Sequence, residues 1–581
     1  MALLMLTQTI KAEVRIHGVS KALEQQIMAD LSIANATSGV TVDTVEAQHA
    51  QAESEILTAL ESQGYYEAEV DSELILPDRV SQVTPLNAKD WLARYTIYLG
   101  KPIRIRQVDI QIQGEGSEEP TLKSLLRHST VRTGEVLSHR AYENLKEALL
   151  ARALQLGYLD AAITQGQIAI DRKRHVANIT LNMVTEQPYY LGDCHFVDPP
   201  YPMPFLERYP MVQPGDRYGS EALSNLQRNF SGSELFNKVQ IQPRMSERQD
   251  QIVPIDILLS PKPQNSYLTS LGYGTDTGPR GRLAWEHRQQ HYPGHRVLME
   301  LKASRVLRQA GIAYVVPGPR PATDQLRLGS QVIEEFLRDD KYSRRHDVSV
   351  QDFRKRGSTD YLTTLAYTGE TFRDLPTDPK KQAHYLLPSV SLIWNQGKQE
   401  PERERQYGTR LQVTARGAMG ILLSNTNFLQ LEAKAKWIHL LGSESRLLLR
   451  AEMGTTLARK NEEIPLSLRF FTGGDSTIRG YAYKSLGPKQ VDRNGDLIVV
   501  GGRYLSVIST EFETRLYQKL SGAVFMDAGN AMNHWRDPWV LGAGVGVRYA
   551  TPIGLLRLDV AKPIAKGKQR PRLHLSFGMD L

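Results

Sequence analysis

A single cysteine, Cys194, stands in 581 residues. That excludes an intrachain disulfide and any paired-cysteine metal or redox site, and leaves Cys194 as a small core residue. Long apolar runs are missing as well. No stretch approaches the ~18 residues of a spanning helix, and 41% of the chain is hydrophobic with a mean hydropathy of -0.38. Helical membrane spans are thereby excluded, but a membrane β-barrel is not, because its strands face lipid only at every second residue and average out polar. Charge of one sign is scarce too. Lys and Arg number 71 against 64 Asp and Glu, a net of +7, and the signs are interspersed, so nucleic acid finds no concentrated basic face. Residues 1–10 carry only Leu3-Leu4-Met5-Leu6, without a basic start or a full apolar region, and are read as a signal remnant or disordered segment.

Catalytic signatures are also lacking. His291 and His295 flank Pro293-Gly294 with no HExxH helix, and no GxSxG elbow occurs. Gly542, Gly544 and Gly546, like Gly272 and Gly274, are followed by neither a helix nor Lys-Ser/Thr, which fits barrel strands better than phosphate loops. Asp492-Arg493-Asn494-Gly495-Asp496 begins like a calcium loop but lacks the sixth-position glycine and has Arg503 where a glutamate would close it, so a turn is expected. No enzyme activity, cofactor or metal is expected.

What is present begins with a repeat. Val14 and Ile16 alternate, Leu23, Ile27 and Leu31 fall at helical spacing, and a second helix from Glu53 to Leu60 stops at Gly64 before an alternating strand, Ala68 to Leu74. The pattern returns. Ile103 to Ile112 alternates, Tyr142 to Leu156 is helical, Gly157-Tyr158-Leu159 closes it, and Ile168-Ile170 and Val176 to Leu181 form a hairpin. A looser copy has strands at Tyr190 to Val197, Val239-Ile241 and Ile252 to Leu259 around a helix from Glu221 to Phe230. The spacing of about 93 residues from Gly64 to Gly157 marks repeated α+β domains rather than a short-unit solenoid. The expected ranges are 11–90, 91–187 and 188–263.

From 264 to 581 helical periodicity disappears, leaving alternating segments broken by Gly, Pro, Asn and Asp. In Trp539 to Tyr549 one face is Trp539, Leu541, Ala543, Val545, Val547 and Tyr549, apolar with an aromatic at each end; the other holds Gly542, Gly544, Gly546 and Arg548. Lipid suits the first face and a wet lumen the second. The same alternation places Glu511, Glu513 and Asp527 inward, and sets Asp559 opposite the apolar Leu556, Leu558 and Val560.

One stretch does not fit a strand: Leu468-Arg469-Phe470-Phe471-Thr472-Gly473-Gly474-Asp475-Ser476-Thr477-Ile478-Arg479-Gly480-Tyr481 reads as an ordered, folded-back loop that sets one guanidinium between an apolar anchor and an aromatic. Wherever Arg479 is buried it requires an anionic partner. Ile478-Arg479-Gly480-Tyr481 resembles the Val-Arg-Gly-Phe/Tyr motif in the sixth extracellular loop of the Omp85 family of outer-membrane proteins. The longer string from Leu468 to Pro488 resembles the TamA branch of that family, Phe525-Met526-Asp527-Ala528-Gly529 resembles its Phe-x-Asp-x-Gly barrel motif, and the α+β units resemble POTRA domains.

The resemblance implies POTRA repeats followed by an all-β transmembrane barrel of sixteen antiparallel strands in the outer membrane of a Gram-negative bacterium, with the repeats in the periplasm. It implies a loop motif of Gly473, Gly474, Asp475, Ile478, Arg479, Gly480 and Tyr481, with Glu511 and Asp527 as the barrel partners of Arg479. It also implies a loose lateral seam carrying Leu271, Gly272, Gly274, Leu575, Phe577 and Gly578, between a first strand near Tyr267 to Thr275 and a last from Arg572 to Leu581. The function it implies is assembly of outer-membrane clients such as autotransporters, with unfolded client chains, outer-membrane lipid and a TamB-like, inner-membrane-anchored protein as partners. A general BamA-like insertase, a two-partner secretion transporter and a passive porin remain alternatives; three repeats and no helix before Lys11 speak against the first two.

Overall fold

The computed structural model describes residues 13–35, 40–76, 85–86, 91–289, 291–337, 341–400, 405–420, 423–459, 464–551, 554–564 and 570–578. The segment 1–10 and the terminal Met579, Asp580 and Leu581 lie outside the described residues. Two compact units divide the chain: one runs to Val197 with Val212–Gln227 and Ile241–Ile257, the other comprises Asp198–Met211, Arg228–Gln240 and everything from Leu258.

In the first unit, helices Lys21–Asp30 and Val42–Ser62 start where Ser20 and Thr41 side chains accept the backbone N–H of Leu23 and Thr44. Val45, Ala52, Ile56 and Leu60 share one face of the longer helix and are fully buried. That face covers a three-stranded sheet in which Leu92–Tyr98 lies between Glu13–His17, to which it is parallel, and Glu69–Ile75, to which it is antiparallel. The sequence reading assigned residues from 91 on to the second domain; the structure makes Leu92–Tyr98 the centre of the first. Its alternation is visible in the sequence, but a parallel partner some 80 residues away leaves no local trace.

The second sheet has the order Arg104–Gln113, Val176–Val184, Ala162–Asp171, again with a parallel edge. Helix His139–Gln155 covers it, together with Pro120–His128, a helix absent from the sequence reading whose proline at the first turn suits an N-terminus. The repeated glycine has a physical cause. Gly64 and Gly157 hold φ of +87° and +92°, and a Cβ on either would lie 2.5 Å from the Leu137 carbonyl oxygen or 2.2 Å from that of Tyr218. Each glycine carbonyl accepts the N–H of the residue leading into the next sheet, Ile103 and Tyr189, at 2.8 Å. A third sheet joins Tyr190–Val197, Ile252–Pro261 and Phe236–Pro243.

In the second unit Tyr201, Phe205, Tyr209, Phe230 and Phe236 form an aromatic cluster, with Tyr209 stacked on Phe230 at 4.6 Å. Burial pushes the Tyr209 hydroxyl up to about 12. From this cluster Arg208 donates to the carbonyls of Pro317 and Gly318, and Glu234 pairs with Arg296 at 3.0 Å, which fastens these residues to the turns and strand ends of the barrel.

The barrel is closed by sixteen strands, from Asn265–Gly274 to Arg572–Gly578, each antiparallel to its neighbours. Alternation sets its two faces. In Val540–Thr551 the side chains of Leu541, Val545, Val547 and Tyr549 are exposed outward, while Arg548 is 3% exposed. Among the described residues no helix is long and apolar enough to cross a membrane. Between Ser445–Leu457 and Tyr504–Tyr517 the chain leaves the wall for one long loop, which includes the hairpin Lys489–Val491 with Leu497–Val499.

Candidate functional site

The loop is anchored first by apolar contacts. Ile478 and Phe470 are buried with Leu505, Val507 and Ala531 of the wall. Its bend is self-bonded: Gly473 N–H donates to Thr477 Oγ1 at 2.8 Å, Gly474 N–H to the Ile478 carbonyl at 3.2 Å, and Lys484 N–H to the Gly473 carbonyl at 3.1 Å. This presses Arg479 against the strands Tyr504–Tyr517 and Leu520–Met532.

There Arg479 meets Asp527 side-on, with Nε to Oδ2 at 2.8 Å and Nη2 to Oδ1 at 2.9 Å, and its backbone N–H also donates to Oδ2 at 3.0 Å. Nη1 reaches Glu511 at 2.6 Å, and the guanidinium carbon lies 3.4 Å from the centre of the Phe525 ring. Asp527 is wholly buried and also accepts from Ser509 Oγ at 2.6 Å. The bidentate pair combines charge with fixed geometry, which a lysine cannot reproduce. The strand Val540–Thr551 permits the approach because Gly542 has no side chain: a Cβ there would stand 2.1 Å from the Arg479 carbonyl oxygen.

The sequence-selected trio of Arg479, Glu511 and Asp527 is therefore together, within a larger network that sequence reasoning did not assemble. Arg548 bonds Glu511 at 2.7 Å and Asp559 at 2.5 Å, Asp559 approaches Arg479 at 3.5 Å, and Arg446 Nε bonds Glu513 at 2.6 Å. Alternation already placed Arg548, Asp559 and Glu513 inward; which acid each cation meets depends on strand register. Tyr481, the aromatic of the motif, donates its hydroxyl to the Leu541 carbonyl at 3.4 Å.

A second set of contacts holds the loop to the opposite wall. Glu370 accepts from the Ser467 N–H at 3.0 Å and hydroxyl at 2.6 Å, Asp374 pairs with Arg469 at 3.0 Å, and Lys484 pairs with Glu335. No local signal marked these acids in the sequence, because they lie 95 to 149 residues upstream of their partners.

At the seam the structure brings together some of the expected residues and not others. Tyr273 faces Phe577 and Gly274 faces Ser576, and these two pairs are the whole ladder between first and last strands among the described residues. Beyond it, Thr275 N–H donates to the Leu575 carbonyl at 3.0 Å. Leu271 is 78% exposed, a Cβ on Gly272 would stand 2.9 Å from the Phe577 carbonyl oxygen, and Gly578 pairs with Leu555 along the other edge of the last strand. Asp492, at the calcium-like start, uses Oδ1 to accept the N–H groups of Asn494 and Asp496, which makes it a turn residue. No cluster of metal-ligating side chains occurs among the described residues.

Residues 309–580 match the Omp85 superfamily domain, 13–99 match the POTRA domain TamA domain 1, and 104–185 match the POTRA family described as a surface antigen variable number repeat. A curated relative, the outer membrane protein assembly factor BamA of Nitratidesulfovibrio vulgaris (strain Hildenborough), is 28% identical over 126 residues, which span 20% of this chain and 16% of the relative. The crystal structure of BamA from Haemophilus ducreyi lacking POTRA domains 1-3 superposes with a TM-score of 0.62 at 16% identity, over 82% of this chain and 99% of that one, a likeness of fold. The chain thus joins a barrel that matches the Omp85 superfamily domain over residues 309–580, set in the outer membrane of a Gram-negative bacterium, to periplasmic domains that match POTRA models, the first of them the TamA domain 1 model.

Proposed function

We propose that this protein is an assembly factor of the TamA branch, which promotes insertion of β-barrel clients such as autotransporters by letting client strands pair at the barrel seam. The observation that carries the reading is that, among the described residues, the first and last strands pair only at Tyr273–Phe577 and Gly274–Ser576. Unpaired N–H and C=O groups at a strand edge are a template for an incoming strand, so a client can replace wall hydrogen bonds with its own. The step lowers a barrier and transforms no bond, in keeping with a family of non-enzymatic assembly factors. The POTRA sheets, open at their edges, guide the unfolded chain, and a TamB-like protein anchored in the inner membrane is the partner expected of the branch. The TamA-type first POTRA domain supports this branch over a general BamA-type insertase, the reading that the BamA relative favours.

The test is reconstitution in liposomes of outer-membrane lipid with an unfolded client. Faster acquisition of protease-resistant autotransporter barrels, with little gain for general porins, supports the TamA-type reading. Equal gain for all clients supports the BamA-type one. Large steady conductance without client insertion overturns both in favour of a porin.

A further inference from the structure

The loop that carries Arg479 also touches both lips of the seam. On the first-strand side, Asp475 N–H donates at 2.7 Å to Oδ2 of Asp276, a buried carboxylate in the turn that follows Asn265–Gly274. Asp276 packs so closely that a Cβ on Gly474 would lie 2.6 Å from the same oxygen, and Asp475 Oδ2 sits over Gly274. On the last-strand side, Gly480 N–H donates at 3.0 Å to Nε2 of His574, which is 3% exposed on the inner face of Arg572–Gly578. Gly480 can lie there because its φ is +93° and it has no side chain; a Cβ would stand 3.1 Å from the Lys562 carbonyl carbon. Between these contacts Arg479 is bound to the wall at Asp527 and Glu511.

We propose that Gly474 to Gly480 is a latch across the seam, with Asp276 and His574 as its two positioning residues. The two pairs between the described residues of these strands hold little by themselves, since an intramolecular hydrogen bond largely exchanges for one to water and contributes little net. The latch adds one bond to each lip from a segment that Arg479 ties to the wall, and so holds the lips at a fixed spacing. Opening the seam requires one latch contact to be given up. Because the contacts act in series, from first strand to loop to last strand, loss of either end removes the whole restraint. The inference rests on the reading that the seam is the working part of the protein, but its test concerns the seam alone.

With Cys194→Ser as background, Tyr273→Cys and Phe577→Cys report seam closure through the rate of their oxidative crosslink in native membranes, with no client present. Asp276→Ala and His574→Ala are each expected to slow crosslinking several-fold, and the double variant to be no slower than the slower single one. Asp276→Asn and His574→Gln keep a hydrogen-bond acceptor and are expected to retain most of the wild-type rate. His574→Phe keeps a ring without an acceptor and should behave as His574→Ala; it serves if the alanine variant does not give a heat-modifiable barrel. Unchanged crosslinking in the folded Asp276 and His574 variants, or independent additive losses in the double variant, would overturn the latch. A client-insertion assay on the same variants tests the seam's function separately.

Discussion

The seam and the far wall of the same barrel are built from the same kind of strand and held in different ways. Tyr342–Arg356 and Thr359–Arg373 pair along fifteen positions, whereas the described residues of the first and last strands pair at two. On the far wall, backbone hydrogen bonds suffice, and the loop contacts at Glu370 and Asp374 fasten the loop to the wall. At the seam the ladder is short and the loop supplies contacts to both sides. Closure of the barrel is therefore local in strength, and it is Gly480, the residue after Arg479, that bonds the last strand at His574.

The sharpest way to break that comparison is to equalise its two sides. In a Cys194→Ser background, a disulfide locking Tyr273→Cys to Phe577→Cys should abolish client insertion, and reduction should restore it. A disulfide between facing positions Val350 and Leu365 of the far wall should leave insertion unchanged. Full insertion by the verified, oxidised seam crosslink would rule out passage through the seam.

The next effect is at Arg479. Removing one partner of a buried ion pair costs about 3–5 kcal/mol, and Arg479→Ala leaves Asp527 and Glu511 facing each other with Arg548 and Asp559 as remaining neighbours. The loop should become protease-sensitive and insertion should fall, with the barrel still heat-modifiable. Arg479→Lys should recover little, because one ammonium cannot make the bidentate contact. Wild-type insertion by Arg479→Ala at normal abundance would remove the network from the mechanism.

A smaller, more selective effect is expected at Gly542. Gly542→Ala places a methyl carbon against the Arg479 carbonyl oxygen, so it should displace the loop by steric pressure while leaving every charge in place. Limited proteolysis of the loop should increase less than in Arg479→Ala; equal cleavage of both variants would mean that contact, and not charge, holds the loop.

The smallest effect lies away from the barrel. His49 is half-buried, with Nδ1 2.8 Å from the Tyr95 hydroxyl, and burial lowers its pKa below the ordinary 6.5. The unfolded chain then binds the proton more readily than the folded one, so the stability of the first POTRA domain is full above that value and declines as pH falls through it. Urea melts of residues 13–99, the segment matched as this domain, should show the decline between about pH 7 and 5, and His49→Gln should flatten it. An unchanged slope in the variant would assign the decline to other groups.

Much of this was legible in the residues. Trp539 to Tyr549 states its two faces by alternation, and the repeated glycines before Tyr65 and Tyr158 mark the ends of equivalent helices, because period and backbone conformation are local properties. Arg479 could be singled out since a guanidinium in an ordered apolar loop requires an anion, and inward acids were available at 511 and 527. Other features had no local signature. Leu92–Tyr98 reads as a strand, yet its place between strands on either side depends on a parallel pairing across the first domain. Arg548 and Asp559 read as inward residues, but their joining to Glu511 and Arg479 depends on register across neighbouring strands. Likewise, glycines at 272, 274 and 578 suggested a weak seam, while the two-pair ladder and the reach of Asp475 and Gly480 to opposite lips arise only when the barrel closes and its loop folds inward. Alternation and turn chemistry are set by neighbours a few residues apart; closure, register and the meeting of buried charges are set by residues hundreds of positions apart, which only the packed chain brings within hydrogen-bonding distance.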